Sequence, residues 1–178
     1  SNHNINLSIF KKENAATTVA STISIASIFG IKFFATGGIG GVHLNAENTY
    51  DVSADLYSLS EHSNYIICSG AKSILDLDKT YELLETLGIT RIGYKTDYMP
   101  GFWYSETKHQ VDNNFEKVSD ISNFLKLNSK LKHNKSILIF NKVPEINAIS
   151  KEQINEWISS ALVSAEKNKI SGKTLTTF

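Results

Sequence analysis

Arg91 is the only arginine in a chain of 178 residues, so lysine carries nearly all of the positive charge. Bidentate guanidinium recognition of phosphate or carboxylate is therefore almost closed to this protein. Cys68 is likewise alone. That excludes an intrachain disulfide and fits a reducing compartment, with the cytoplasm as the default expectation. No apolar run is long enough to cross a bilayer as a helix, and Ser1 to Asn6 lacks the charged-then-apolar order of a signal peptide. Charge of one sign is missing too: 18 basic residues against 18 acidic ones leave no basic field for nucleic acid. There is no internal repeat and no low-complexity segment. What is present is a 41% apolar content, enough to bury the core of one domain over residues 1–178.

Punctuation and periodicity divide the chain into alternating elements. Residues 7–10 read as a short strand. Val19, Ile23, Ala26 and Ile28 space out a helix that Gly30 stops, and residues 31–35 follow as a short buried strand. Ser53 is an N-cap for a short helix bearing Leu56 and Leu59. Tyr65 to Cys68 has the compact apolar form of a buried parallel strand. Asp76 or Asp78 caps a helix carrying Tyr81, Leu84 and Leu87, Gly88 ends it, and Ile89 to Tyr94 is the next strand. Residues 95–117 show little periodicity and read as a structured, functional loop. A helix around Ile121, Phe124 and Leu125, a strand from Ser136 to Val143 stopped by Pro144, and a helix opened by a Ser150/Gln153 capping box complete the chain. Strand–helix–strand alternation at this pace predicts a three-layer α/β/α fold around a mixed, largely parallel sheet.

The stretch from Ala35 to Asp55 concentrates the chemistry. Gly37, Gly38, Gly40 and Gly41 follow an apolar strand, then come His43, Asp51, Ser53 and Asp55. Glycine-rich backbone after a strand can present N–H groups to an anion. The spacing matches neither the dinucleotide nor the P-loop pattern, so neither NAD nor ATP follows from it. Asp51 and Asp55 are candidates to hold a hard divalent cation, or else are ordinary helix-terminal residues. His43 is a proton carrier, a phosphate contact or a structural histidine. Lys72 follows the apolar strand and small residues of the second junction; desolvation there would free its amine to attack a carbonyl, whereas a lysine snorkelling to solvent would do nothing.

Four ordered segments carry a resemblance: Ala16-Thr-Thr-Val-Ala-Ser-Thr22, Phe34-Ala-Thr-Gly-Gly-Ile-Gly-Gly-Val-His43, Asp51-Val-Ser-Ala-Asp-Leu56 and Ser69-Gly-Ala-Lys-Ser-Ile-Leu-Asp76. They resemble the indigoidine-synthase-A-like family of pseudouridine-5'-phosphate glycosidases. Similarity continues through Leu84 to Gly88, Gly93 to Phe102 and the last helix into Gly172-Lys173, covering essentially the whole chain. The resemblance implies reversible cleavage of pseudouridine 5'-phosphate to uracil and ribose 5-phosphate. The bond is carbon–carbon, so there is no glycosidic oxygen to protonate and two carboxylates do not suffice. An amine that captures the opened sugar as a Schiff base supplies the electron sink.

By resemblance that amine is Lys72 and the manganese-binding residue is Asp51, with another divalent cation as the alternative. Ser53, Ala54, Asp55 and Val19 bind substrate, and His43 is the glycine-loop histidine. The family's usual Arg-Gly after that histidine is Leu44-Asn45 here. The family's acidic proton donor and a phosphate-site lysine are expected ahead of Ser1, and further sequence after Gly172-Lys173. A homotrimer is also implied. The alternatives are a phosphosugar-binding remnant or split subunit without turnover, and lysine-dependent aldolase chemistry on another phosphosugar.

Overall fold

The computed structural model describes residues 4–168 and 170. Gly172 and Lys173, where the family resemblance ends, lie outside the described residues. The order of elements is α1 (Ile5–Lys11), α2 (Val19–Ile28), β1 (Phe33–Ala35), α3 (Ala46–Thr49), α4 (Ala54–Glu61), β2 (Tyr65–Cys68), α5 (Leu77–Thr86), β3 (Thr90–Tyr94), β4 (Asn113–Phe115), α6 (Val118–Lys130), β5 (Ile137–Asn141) and α7 (Lys151–Lys167). The five strands form one sheet in the order β1-β2-β5-β3-β4, and every pairing is parallel. The antiparallel pairings among the described residues are isolated bridges outside the sheet. Helices lie on both faces, giving the α/β/α layering.

Strict alternation along the central strands decides which residue faces which layer. Ile66 and Cys68 of β2 and Leu138 and Phe140 of β5 join Ile23 of α2, Leu56 and Leu59 of α4 and Tyr81 and Leu84 of α5 in one core. Their neighbours Tyr65, Ile137 and Ile139 turn the other way and meet Ile121 and Leu125 of α6. The first face is closed by three helices. The second is covered by α6, beside which runs an apolar groove of about 700 Å³ lined by Phe33, Tyr65, Ile67, Val118 and Ile139, among others.

Caps set several helix starts as the residue types predict. Ser53 Oγ accepts from the N–H of Asp55, Asp76 from that of Lys79, and Ser150 from that of Gln153. Three expectations are corrected. Residues 7–10 lie in helix α1, not a strand. Leu7, Ile9 and Phe10 are exposed there, and their alternation finds no strand to pair with. The strand at 31–35 is trimmed to Phe33–Ala35 and is an edge, not a buried strand: Phe33 is 57% exposed and Ile31 is 51% exposed. Within 95–117 lies β4, whose polar Asn113-Asn114 gives no periodic signal. Backbone pairing with β3 is what makes it a strand. Arg91 on β3, nearly buried, ties this region down: its Nη2 donates to Asp112 Oδ1 at 2.7 Å and its backbone N–H to Oδ2 at 2.7 Å.

None of the helices among the described residues is long and apolar enough to cross a membrane.

Candidate active site

Strands β1 and β2 end side by side, and their pairing continues past the strands. Ser69 N–H donates to the Gly37 carbonyl at 3.0 Å, Ile39 N–H to that of Gly70 at 3.1 Å, and Lys72 N–H to that of Ile39 at 3.1 Å. Ile39 and Ala71 form a parallel bridge. The glycine loop and the loop after β2 are thereby held together at the carboxyl ends of the strands, where open α/β sheets bind ligands.

The chain then folds back on itself. Val42 bridges Val52 in antiparallel fashion, His43 N–H donates to the Asp51 carbonyl at 3.0 Å, and Ser53 N–H donates to that of Gly41 at 2.9 Å. This small hairpin, closed by α3, sets His43 across from Asp51. All seven residues singled out from the sequence (Val19, His43, Asp51, Ser53, Ala54, Asp55 and Lys72) line one cavity of about 810 Å³. That volume suits a small ligand.

Part of the glycine loop's backbone is already engaged within the protein. The Ile39 N–H goes to Gly70, the Gly40 N–H to Asp55 Oδ2 at 2.8 Å, and the Val42 N–H to Thr80 Oγ1 at 2.9 Å. Those three donors are not available to an anion. Close packing also requires these glycines. A Cβ on Gly40 would sit 2.2 Å from Ser53 Oγ, one on Gly41 2.4 Å from Thr80 Oγ1, and one on Gly38 2.6 Å from the Phe102 ring.

Asp55 is the clasp of the site. It is only 6% exposed, and its carboxylate accepts from Ala20 N–H in the first turn of α2 (2.8 Å) as well as from Gly40 N–H. One side chain thus joins α2, α4 and the glycine loop, and its negative charge faces the amino-terminal end of α2. Ser53 takes the capping role, accepting from Asp55 N–H at 3.2 Å.

Lys72 is partly buried. The lysines that form ion pairs among the described residues are Lys79, Lys108 and Lys142, so the Lys72 amine is not held in one. Cys68, just before it in the chain, is no rival nucleophile: burial pushes its thiol up to about 12.

Asp51 has both backbone groups engaged, its carbonyl by His43 and its N–H by Thr49 Oγ1 at 3.3 Å. Its carboxylate is partly buried at the cavity and forms no ion pair among the described residues. No group of three or more His, Cys, Asp or Glu converges among the described residues. The donor set therefore fits a hard cation held by one carboxylate, water and ligand oxygens, and does not fit a cage built from protein alone.

Sequence reasoning passed over other lining residues: Thr17 and Thr18 at the start of α2, Thr36, Ile74 and Phe102. Of these, Phe102 had the most visible signal, a large aromatic two residues after Pro100 in an aperiodic stretch. Only its positive φ of 71° sets it apart.

Residues 1–178 match the family described as Indigoidine synthase A like protein. The chain is similar to the pseudouridine-5'-phosphate glycosidases of Brachyspira hyodysenteriae and Geobacillus kaustophilus. Identity is 45% over 167 residues in each case, covering 94% of this chain and 54% and 56% of those proteins. Among solved structures, that of a prealnumycin C-glycosynthase in complex with ribulose 5-phosphate superposes with a TM-score of 0.92 at 31% identity, covering 99% of this chain and 58% of that one. An indigoidine synthase A-like protein from Thermotoga maritima gives a TM-score of 0.83 at 33% identity, covering 88% of this chain and 52% of that one. The chain spans about half the length of the curated relatives it matches. On sequence and fold together, the protein belongs to the indigoidine synthase A-like family.

Proposed function

We propose that this chain carries the lysine and metal portion of a pseudouridine-5'-phosphate glycosidase site. It would use Lys72 to make and break the carbon–carbon bond between C5 of uracil and C1' of ribose 5-phosphate. The observation that carries this reading is the placement of Lys72, outside any ion pair among the described residues, in one cavity with Asp51, Ser53 and His43.

In the synthetic direction the Lys72 amine attacks the aldehyde carbon of open-chain ribose 5-phosphate and expels water, leaving a protonated imine. That imine accepts the electron pair of uracil C5. The new carbon–carbon bond forms, uracil C5 then loses its proton, and closure of the ribose oxygen onto C1' returns the amine. Cleavage runs the same steps backwards: Lys72 displaces the ring oxygen, the bonding pair returns to uracil, C5 takes a proton, and water releases the sugar.

Ser53 offers a hydroxyl, and Thr17 and Thr18 line the same cavity with two more, for sugar or phosphate oxygens. His43 stands on the hairpin beside Asp51, where it can carry a proton to or from a sugar hydroxyl. Asp51 would hold a divalent cation, Mn²⁺ by resemblance, which when bound supplies positive charge against phosphate and sugar oxygens. Asp55, with both oxygens already on backbone donors, orders the cradle and leaves direct phosphate contact to its neighbours. Assembly as a homotrimer belongs to the same reading and is checked by light scattering on the purified chain.

Incubation with ribose 5-phosphate and Mn²⁺, followed by borohydride reduction, should leave a sugar phosphate on the Lys72 peptide by mass spectrometry. Folded protein that yields no adduct defeats the proposal. An adduct without turnover of pseudouridine 5'-phosphate would favour phosphosugar binding alone.

A further inference from the structure

The loop from Lys95 to Glu106 gives the cavity a wall that no hydrogen-bonding group provides. Phe102 lines the cavity together with Lys72 and is partly buried. Its φ is 71°, in the left-handed region that a bulky side chain adopts only when its surroundings impose it. Such strain concentrates where a binding site dictates a side chain's position.

The surroundings are on view. Phe102 N–H donates to the Ser69 carbonyl at 2.9 Å, and Ser69 Oγ donates to the Phe102 carbonyl at 3.4 Å. Gly101 bridges Gly70, and the Gly101 carbonyl accepts from Ser73 Oγ at 2.6 Å. Gly70 has φ 96° and lies against Pro100, where a Cβ would fall 2.0 Å from the carbonyl oxygen. Buried Tyr81 donates its hydroxyl to that same oxygen at 2.9 Å. The Gly101–Phe102 backbone is therefore fastened to Ser69, Gly70 and Ser73, which flank Lys72 in the chain.

The ring itself lies against bare backbone. A Cβ on Gly38 would meet it at 2.6 Å and one on Gly37 at 3.6 Å, so any side chain at Gly38 would displace it. Trp103 supports it edge-on, with centroids 4.9 Å apart and planes at 72°. A planar pyrimidine gains more from a phenyl face than ribose does, and a phosphate gains least.

We infer that Phe102 is the surface on which the pyrimidine of the substrate stacks, and hence a determinant of base selectivity at this site. This rests on the glycosidase reading above. Lys72 then defines where C1' lies and Phe102 the side of the cavity on which the base departs or arrives.

The test compares calorimetric binding of pseudouridine 5'-phosphate with that of ribose 5-phosphate, in wild type and in F102G, F102L and F102Y. Glycine adopts φ 71° without strain, so F102G removes the ring while sparing the backbone conformation, and its melting temperature shows that the fold is kept. F102G should weaken pseudouridine 5'-phosphate by about tenfold or more while changing ribose 5-phosphate by less than about twofold, from the usual strength of a base–aromatic stack. F102Y should restore most of the affinity and F102L only part of it. Equal weakening of both ligands by F102G, or no weakening of either, overturns the assignment while leaving the Lys72 reading intact. Wild-type protein that binds neither ligand overturns the glycosidase reading and the stacking with it.

Discussion

The two faces of the sheet are built from the same strands and end up unlike each other. On one, Ile66, Cys68, Leu138 and Phe140 are sealed under α2, α4 and α5. On the other, Tyr65, Ile137 and Ile139 meet α6, while Phe33 and Val118 stay exposed along a groove. The cavity belongs to the sealed side. Its loops leave the carboxyl ends of β1 and β2, and the clasp at Asp55 ties the amino-terminal turns of two of the covering helices to the glycine loop. The proposed chemistry needs a lysine, a carboxylate and a small ligand held in register on a rigid support. The sealed face provides it and the grooved face does not.

The sharpest way to break this comparison is at Lys72. Replacement by arginine keeps the charge but abolishes the borohydride adduct altogether, with a urea midpoint close to wild type. Survival of the adduct would move the nucleophile elsewhere. Next in size is a pair of truncations. Phe140→Ala, fully buried on the sealed side, should cost about 4 kcal/mol in urea unfolding, against about 1 kcal/mol for exposed Phe33→Ala, whose partner is the Tyr65 ring. Equal costs would mean that the groove is packed as tightly as the core.

Asp55→Ala leaves two backbone donors of the clasp unpaired and should cost roughly 3 kcal/mol, with loss of sugar-phosphate binding as the loop loosens. Full stability in this variant would make Asp55 a substrate residue and not a clasp.

Alkali offers a smaller probe of the same face. Burial raises the pKa of Cys68 from 9.0 to about 12 and raises that of Tyr81 as well. Both are neutral when protonated, so between pH 9 and 12 the folded chain binds more protons than the unfolded one. The Cys68 contribution is complete below pH 9 and is lost as pH climbs toward 12, and Tyr81 acts in the same direction at higher pH. Urea midpoints should therefore fall above pH 9, and Cys68→Ala should flatten that fall. The smallest effect is at the rim, where exposed Asp78 pairs with Lys108 and His109 at 2.7 Å each. Hydrogen bonds from Lys108 and then His109 hold its carboxyl below the usual range, so this support is present at neutral pH and is lost on acidification. Asp78→Asn should change stability by only about 0.5 kcal/mol at neutral pH, because solvent screens the pair.

The interior strands and the layering were readable beforehand, though the groove was not. Tyr65–Cys68 and Ile137–Phe140 are continuous apolar runs, and both faces of a central parallel strand must be apolar. Ser53, Asp76 and Ser150 announced three helix starts because a cap is a local event. β4 escaped notice because an edge strand needs only one neighbour's backbone, and α1 was misread because Leu7 and Ile9 alternate without a partner. Which donors of the glycine loop stay open was not legible, for a related reason. Whether an N–H is free depends on what the rest of the chain brings to it, and Asp55 and Thr80 arrive from 15 and 38 residues away.

By itself, then, the order of residues determined the class of fold, the caps, the strands of the sheet's interior and the set of groups able to do chemistry, since each follows from local bonding or from periodic burial. Tertiary structure alone decided that those groups share one cavity, that Asp55 serves backbone donors, and that Phe102 is forced into a left-handed turn beside Lys72. Those outcomes are set by pairings between distant segments, which no local pattern records.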